Sequence, residues 1–383
     1  GAPRGLFDMR IAIIGGGPAG LYFATLWKKR HPDAQVHVYE QNPADATFGF
    51  GVVFSDRALE FLRGDDPETH DLITPAMETW QDMTLIHRGE TVTIDGVGFS
   101  SIGRLKLLQL MQERALAVGA ELHFETVLRS VDDLPEADLI IAADGINSIV
   151  RRSYEGDFQT SLSYLPNKFA WYGVETPFNS LTQTFIETEY GPVNAHHYRY
   201  TPEMSTFLVE CERETWERAG FATMSDEASR VLCSELFADT LRGKPLISNN
   251  SSWRNFPQLW SDRWSHLNMV LVGDALHTAH FSIGSGTRLA MEDVIALVGA
   301  LEAEPGDIRA ALTRYEAERR PIVEKIVAAA TKSARWYEDF AAHMQLTPQE
   351  FGYSYMTRSG RVDDDRLRQL APNFMADYEA AKA

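Results

Sequence analysis

Asp274 closes a short apolar run, Met269 to Val272, and is followed after Gly273-Asp274 by a glycine-bearing loop, Gly284-Ser285-Gly286-Thr287, that opens a helical pattern. A carboxylate at a strand end can accept hydrogen bonds from the hydroxyls of a polyol chain. The helix that follows offers unpaired N–H groups and partial positive charge to whatever anion lies before it. Together these suit a flavin. Asp274 would take the ribityl chain. Gly284, Ser285 and Gly286 would face the N1–C2=O edge, where negative charge collects on reduction. A helix dipole favours that charge by about 0.3–2 kcal/mol.

Two further constellations precede this one. Arg10 to Ile14 leads into Gly15-Gly16-Gly17-Pro18-Ala19-Gly20, and a helical pattern follows. Gly15 permits the tight turn, Gly17 lets the backbone approach a pyrophosphate, and Gly20 permits close helix–strand packing. A second strand, Gln35 to Tyr39, ends at Glu40, an acid placed to bind the two hydroxyls of an adenosine ribose. This fingerprint does not separate FAD from NAD. In Asp138 to Arg151 an apolar strand ends in Asp144-Gly145, with Ser148 and Arg151 at helical spacing. Taken alone, that segment is equally a strand, a turn and a capped helix.

The elements that must position these residues divide the 383-residue chain unevenly. A nucleotide-binding lobe is expected in three segments, 9–75, 101–156 and 263–330. A helix over Ile102 to Val118 opens with Arg104 and buries Leu105, Leu108, Met111 and Ala115. Between the segments, alternating runs at Phe169 to Glu175, Thr182 to Thr188, Val193 to Tyr200 and Ser205 to Glu210 predict an antiparallel sheet. That second lobe takes 157–262 with strands from 76–100, and a helix capped by Ser225 lies on it. Helices at Ile308 to Ala329, broken near Pro321, and Ser333 to Met344 lead into a C-terminal tail over 331–383. The fold class is α/β, a Rossmann-like domain with an inserted antiparallel-sheet domain and C-terminal helices.

Composition narrows the partners. A formal charge of −18 disfavours nucleic acid, and an anionic substrate would need a local basic patch. No apolar run approaches the roughly 20 residues of a membrane span. Cys211 and Cys233 offer no metal spacing and no disulfide framework, so a reducing cytoplasm is expected and no metal is. Gly1 to Asp8 reads as a cloning remnant.

The three motifs, in this order around an inserted sheet, resemble the class A flavoprotein aromatic hydroxylases, the para-hydroxybenzoate hydroxylase fold. Gly49 to Asp56, His277 to Thr287 and Thr357 to Arg361 are similar to the salicylyl-CoA 5-hydroxylase and 2-aminobenzoyl-CoA monooxygenase group. The wider class usually has Pro where Phe281 stands and often Asn where Arg288 stands. The resemblance implies FAD as cofactor, NADH or NADPH as transient co-substrate without its own Rossmann domain, and O2. It implies an oxygen adduct at flavin C4a that passes its distal atom to an electron-rich ring. Arg104 would reach the pyrophosphate or ribityl region, and Asp144 would organise the flavin site with an Arg partner.

Hydroxylation of a phenol or aniline is helped by a group that accepts the ring substituent's proton, and histidine suits this at neutral pH. His280, in the loop that meets the flavin, is the first candidate. His277 can equally brace that loop. His196 and His197 lie in one strand, so alternation turns one of them to the cavity; His197 is taken as the second candidate, with Tyr198 beside it. Phe50, Phe54, Phe281, Trp171 and Phe185 could line an aromatic pocket. A CoA thioester would also need cations, from Arg57, Arg88, Arg199, Arg358 or Arg361. The leading expectation is an aryl-CoA ring hydroxylase, acting as monomer or homodimer. Alternatives are a hydroxylase of free tryptophan or an indole, a flavin reductase, and a non-catalytic flavin-binding partner. The halogenase segment Trp-x-Trp-x-Ile-Pro is absent. The chain could be a standalone hydroxylase or one domain of a longer bifunctional protein.

Overall fold

Arg10–Ile14 and Leu139–Ala142 carry apolar residues on both faces, and both lie inside a six-stranded sheet. The computed structural model describes residues 8–46, 49–55, 59–283 and 286–383. It orders this sheet Ser265–His266, Met269–Leu271, Leu139–Ala142, Arg10–Ile14, Gln35–Tyr39, Glu121–His123. Every pairing but the first is parallel. Parallel neighbours need a crossover. The helix Pro18–Arg30 supplies the first, burying Leu21, Tyr22, Phe23 and Trp27.

The second sheet has eight strands, with Thr160–Val174, Ser205–Cys211, Gly191–Arg199 and Leu181–Thr188 at its centre. These central pairs are antiparallel, as the alternation predicts. The sheet as a whole is mixed, because Met83–His87 runs parallel to Leu181–Thr188. The two strands come from distant stretches of chain, so no hairpin fixes their relative direction. Alternation sorts the faces. Ala170, Tyr172, Val193, Phe207 and Val209 pack under the helices between Arg213 and Leu241. The opposite face, with Leu85, Phe185 and Tyr198, packs against Trp336, Phe340 and the tail helices.

Three local expectations are corrected. The helix begins at Arg104 rather than Ile102, because Ile102 and Gly103 pair with Val52 and Gly51 in a small third sheet. Leu107 and Leu110 join its buried face, while Leu105 is only half-buried. Pro321 breaks nothing: Ile308–Glu338 is one helix of 31 residues. A proline removes one backbone donor. Here buried anchors on both sides, Tyr315 and Arg319 before and Val323 and Ala330 after, hold the helix together. The Ser225 cap forms, accepting from the Ala228 N–H at 3.1 Å. Among the described residues, no helix is long and apolar enough to cross a membrane.

Candidate active site

The glycine turn is built for contact with a ligand. Gly15 has φ +108°, and a Cβ there would lie 2.2 Å from the Ala143 carbonyl oxygen. A Cβ on Gly20 would lie 2.0 Å from the Gly15 oxygen, which fixes how closely helix and strand approach. A Cβ on Gly17 would meet nothing within 4 Å, so the backbone ahead of Pro18 and Ala19 is open. Both Glu40 oxygens are held by backbone, Oε1 by the Gly16 N–H and Oε2 by the Asn42 N–H, each at 2.8 Å.

Across the cleft, Arg104 and Asp274 carry opposite charges and feel each other. Burial pushes the Arg104 pKa down, and Asp274 and Tyr198 push it back up. Burial raises the Asp274 pKa against the pull of His277 and Arg104. Both side chains are reached by solvent although protein surrounds them. Neither has a hydrogen-bonding partner among the described residues. Asp144 accepts from the Ile149 N–H at 2.9 Å through Oδ2, while its buried Oδ1 is unpartnered among those residues. Burial raises its pKa. Arg151 and Asp144 feel each other's charge, but Arg151 makes its hydrogen bonds elsewhere. It donates to the carbonyls of Gly145, Ile146 and Ala275, stitching the Asp144 turn to the Asp274 turn. Gly286 opens the helix Gly286–Ala303 with Thr287 in its first turn, and a Cβ on Gly286 would lie 3.9 Å from Asp274 Oδ1. Gly284, Ser285 and Arg57 lie outside the described residues.

Open backbone at a helix N-terminus, a held acid for a ribose diol, and unpartnered polar groups across the cleft fit a flavin dinucleotide. A buried network braces the turn. Asp293 accepts from the Gly273 N–H at 3.0 Å, His277 Nε2 at 2.8 Å and Arg319 Nε at 2.8 Å. Burial alone would raise its pKa, yet His277 and Arg319 hold it below the usual carboxylate range. His277 is therefore a brace. Asp293 and Arg319 were missed in the sequence, although an acid inside the apolar run Leu289 to Leu301 was the available signal.

The sheet face turned towards this loop carries a second polar cluster. Its residues sit opposite one another in register: Phe169 with Glu210, and His196 with Leu208 on one side and Gln183 on the other. His196 Nε2 lies 3.1 Å from Glu210 Oε1, and Asn167 donates to Oε2 at 3.1 Å. Burial opposes ionisation of Glu210, but His196, with His280 and Asn167, holds its pKa low. An ionised Glu210 makes His196 Nε2 the donor, so in the neutral ring Nδ1 is the acceptor.

His280 lies beside this pair, its ring 4.2 Å from Phe281 and 5.0 Å from Phe256. Burial, chiefly, lowers its pKa to about 4. A hydroxyl chain reaches its Nδ1. Arg358 Nε donates to Ser333 Oγ at 2.8 Å, Ser333 meets Ser282 Oγ at 2.6 Å, and Ser282 meets His280 Nδ1 at 2.7 Å. The Ser282 N–H also points at Nδ1, 3.3 Å away. Those donors make Nδ1 the acceptor and leave the proton on Nε2. His280 is thus a hydrogen-bond donor, and His196 is the acceptor.

Five expectations change with this geometry. His197 points to the other side of the sheet, stacked 5.0 Å from Phe207 and bonded to Thr184 at 2.8 Å, and desolvation lowers its pKa to about 3. Phe54 is buried in the core of the nucleotide lobe, and Phe185 packs on Phe351 and Trp336. Tyr198 donates to the Gly51 carbonyl at 2.8 Å, tying the sheet to the strand after Phe50. Phe50 itself lies over Gly173, where a Cβ would come within 2.5 Å of its ring, and its carbonyl takes the Arg104 N–H at 2.8 Å. Arg358 directs its guanidinium to Ser333, Ser282 and Tyr355, so it braces the loop rather than offering a surface charge. Phe281 does stand on the sheet face, 5.2 Å from Phe169 and 5.6 Å from His196. Glu210 could have been noticed as a charge inside the wholly buried strand Ser205–Cys211.

Comparison with known proteins places the whole chain among flavin-dependent enzymes. The family of FAD binding domains matches residues 125–330, and that of NAD(P)-binding Rossmann-like domains matches residues 13–55. The chain is 39% identical over 361 residues to a salicyloyl-CoA 5-hydroxylase of a Streptomyces species, covering 92% of this chain and 70% of that one. It is 34% identical over 329 residues to the 3-hydroxy-4-methyl-anthranilyl-[aryl-carrier protein] 5-monooxygenase of Streptosporangium sibiricum, covering 86% and 89%. The protodeoxyviolaceinate monooxygenase of Chromobacterium violaceum is also 34% identical, over 361 residues, covering 91% and 94%. In fold, the 2-methyl-3-hydroxypyridine-5-carboxylic acid oxygenase superposes with TM-score 0.72 at 17% identity, covering 97% of this chain and 98% of that one. Taken with the cleft, these likenesses identify the chain as a member of the class A FAD-dependent aromatic monooxygenases, enzymes that use NAD(P)H.

Proposed function

We propose that the substrate is an aromatic acyl thioester of the salicylyl-CoA or 2-aminobenzoyl-CoA type, hydroxylated on its ring. The observation that carries this reading is the buried, ionised Glu210 beside His196, His280 and Phe281. A free aromatic carboxylate placed there would meet like charge in a low-dielectric site, and Arg358, the nearby cation, is bonded to protein. A thioester removes that charge. Two relatives carry acyl-CoA or carrier-protein-bound substrates in their names, which supports the same reading. For the CoA phosphates, Arg88 and Arg361 are exposed, whereas Arg199 is paired with Glu78 at 3.0 Å.

When bound, FAD supplies electron transfer from NAD(P)H and the activation of O2. The chain supplies position and protons. Gly15, Gly17 and Gly20 admit the pyrophosphate, Glu40 takes the adenosine ribose, and Arg104 and Asp274 face the ribityl chain. The N-terminus of Gly286–Ala303 favours negative charge on the ring edge. His196 Nδ1 accepts the proton of the ring hydroxyl or amine, and Glu210 stabilises the imidazolium that results. His280 donates from Nε2 to a substrate oxygen. Phe281 and Phe50 flank the ring.

The test is NADH and NADPH oxidation by FAD-loaded protein with salicylyl-CoA or 2-aminobenzoyl-CoA against the free acids and tryptophan, with product mass recorded. Acceleration by a thioester alone, with a gain of one oxygen, is expected. Acceleration by a free acid or tryptophan would refute the thioester, and turnover indifferent to every aromatic would point to a reductase. Asp274→Ala is expected to lose FAD on gel filtration, and retention of tight flavin would remove Asp274 from the cofactor site.

A further inference from the structure

At the outer edge of the six-stranded sheet, the parallel register pairs His37 with Glu121 and Tyr39 with His123. His37, Glu121 and His123 therefore share one face. Their polar atoms converge. His37 Nδ1 is 2.9 Å from His123 Nε2 and 3.2 Å from Glu121 Oε2, and His123 Nε2 is 3.9 Å from that same oxygen. Three ligands of a tetrahedral zinc ion, with bonds of about 2.0–2.2 Å, stand about 3.3–3.5 Å from one another. The three observed separations bracket that value.

One proton serves only two of the three atoms: shared between His37 Nδ1 and His123 Nε2, 2.9 Å apart, it leaves the Glu121 oxygen, 3.2 Å from His37 Nδ1, without a donor from either ring. A cation satisfies all three atoms at once. Two imidazoles and one carboxylate are a nitrogen-rich set that suits zinc and its transition-metal neighbours, whereas calcium and magnesium prefer oxygen. The rings are also held in place: Tyr39 stacks 5.0 Å from His123, and His37 and His123 meet edge to edge, their centroids 5.2 Å and their planes 13° apart. The side chains of His37, His123 and Glu121 are 29%, 39% and 66% exposed, so an ion and a water can reach them.

We propose that His37, Glu121 and His123 form a divalent transition-metal site of zinc type, with its fourth position open to water. A bound ion would clip the three-residue edge strand Glu121–His123 to Gln35–Tyr39. The effect would reach the cofactor lobe, because the Glu40 N–H is bonded to the His123 carbonyl at 2.9 Å.

The experiment titrates Zn2+ into metal-freed, FAD-loaded full chain in competition with a chromophoric chelator. One equivalent is expected to bind. His37→Ala and His123→Ala are each expected to weaken it roughly a hundredfold or more, because losing a direct ligand should cost at least as much as losing a ligand's hydrogen-bond partner. The flavin spectrum of each variant verifies that the lobe is folded. Co2+ should give the intense visible absorption of a tetrahedral site in the wild type and lose it in both variants. Failure to bind zinc stoichiometrically, or equal binding by both variants, would overturn the proposal.

Discussion

Asp293 and Glu210 are both buried carboxylates that hold a histidine, and they are partnered very differently. Asp293 takes a backbone N–H, His277 and the Arg319 guanidinium, so its charge is answered by a permanent cation. Glu210 takes His196 and the neutral amide of Asn167, with no Lys or Arg bonded to it among the described residues. A saturated carboxylate with a fixed counter-charge stabilises a turn. A carboxylate whose only cationic partner is a histidine that can gain and lose a proton is suited to proton traffic. On the proposed function, a carboxylate and a histidine thus brace a turn beside Gly273 and handle a proton on the sheet.

The sharpest separation should come from His196→Ala. Product formation is expected to fall about 10²–10⁴-fold, with FAD retained and NAD(P)H oxidation continuing as uncoupled peroxide release. An unchanged product yield per NAD(P)H would dissolve the contrast. His280→Ala should also retain FAD and uncouple, and full coupling there would remove His280 from the site. Next in size, Asp293→Ala leaves the buried Arg319 only its 3.7 Å pairing with Glu292 and should cost about 3–5 kcal/mol in urea denaturation. Glu210→Gln should cost clearly less, and equal losses would mean that both acids are structural.

A smaller effect follows from pH. His280 and His197 have folded pKa values lowered to about 4 and about 3. The unfolded chain therefore binds more protons below about pH 6.5, and stability is lost as pH falls through that window. The urea midpoint should drop between pH 7 and pH 5, and a flat profile would show that these rings are solvated. Smallest should be Arg358→Lys, which removes the planar fork from the hydroxyl chain and should cost roughly 1 kcal/mol. A modest rise in uncoupling without loss of FAD is the expected readout.

Much of the nucleotide lobe was legible because glycine turns and strand-end acids sit at fixed local spacings. Gly15, Gly17, Gly20 and Glu40 fall where the fingerprint puts them. Alternation likewise predicted that only one of His196 and His197 faces the loop, but could not say which, because the layer covering each face is chosen by distant segments. Glu210 and Asn167 meet through strand pairing, and Asp293 and Arg319 through helix packing, so no local pattern announces either. His37 and His123 come together only through a parallel crossover. The start of the Arg104 helix was misplaced for a similar reason: Ile102 and Gly103 are claimed by partners some fifty residues earlier in the chain.

The unbroken Ile308–Glu338 helix is about 46 Å long at 1.5 Å per residue. Its first half bonds Tyr315 to the Leu271 carbonyl and Arg319 to Asp293, on either side of the Asp274 turn, and its second half bonds Tyr337 to Gln183 on the sheet. A rod keyed into both lobes works as an axle, not a hinge. Swinging the lobes apart would have to break the bonds at one of its ends, either those of Tyr315 and Arg319 or that of Tyr337.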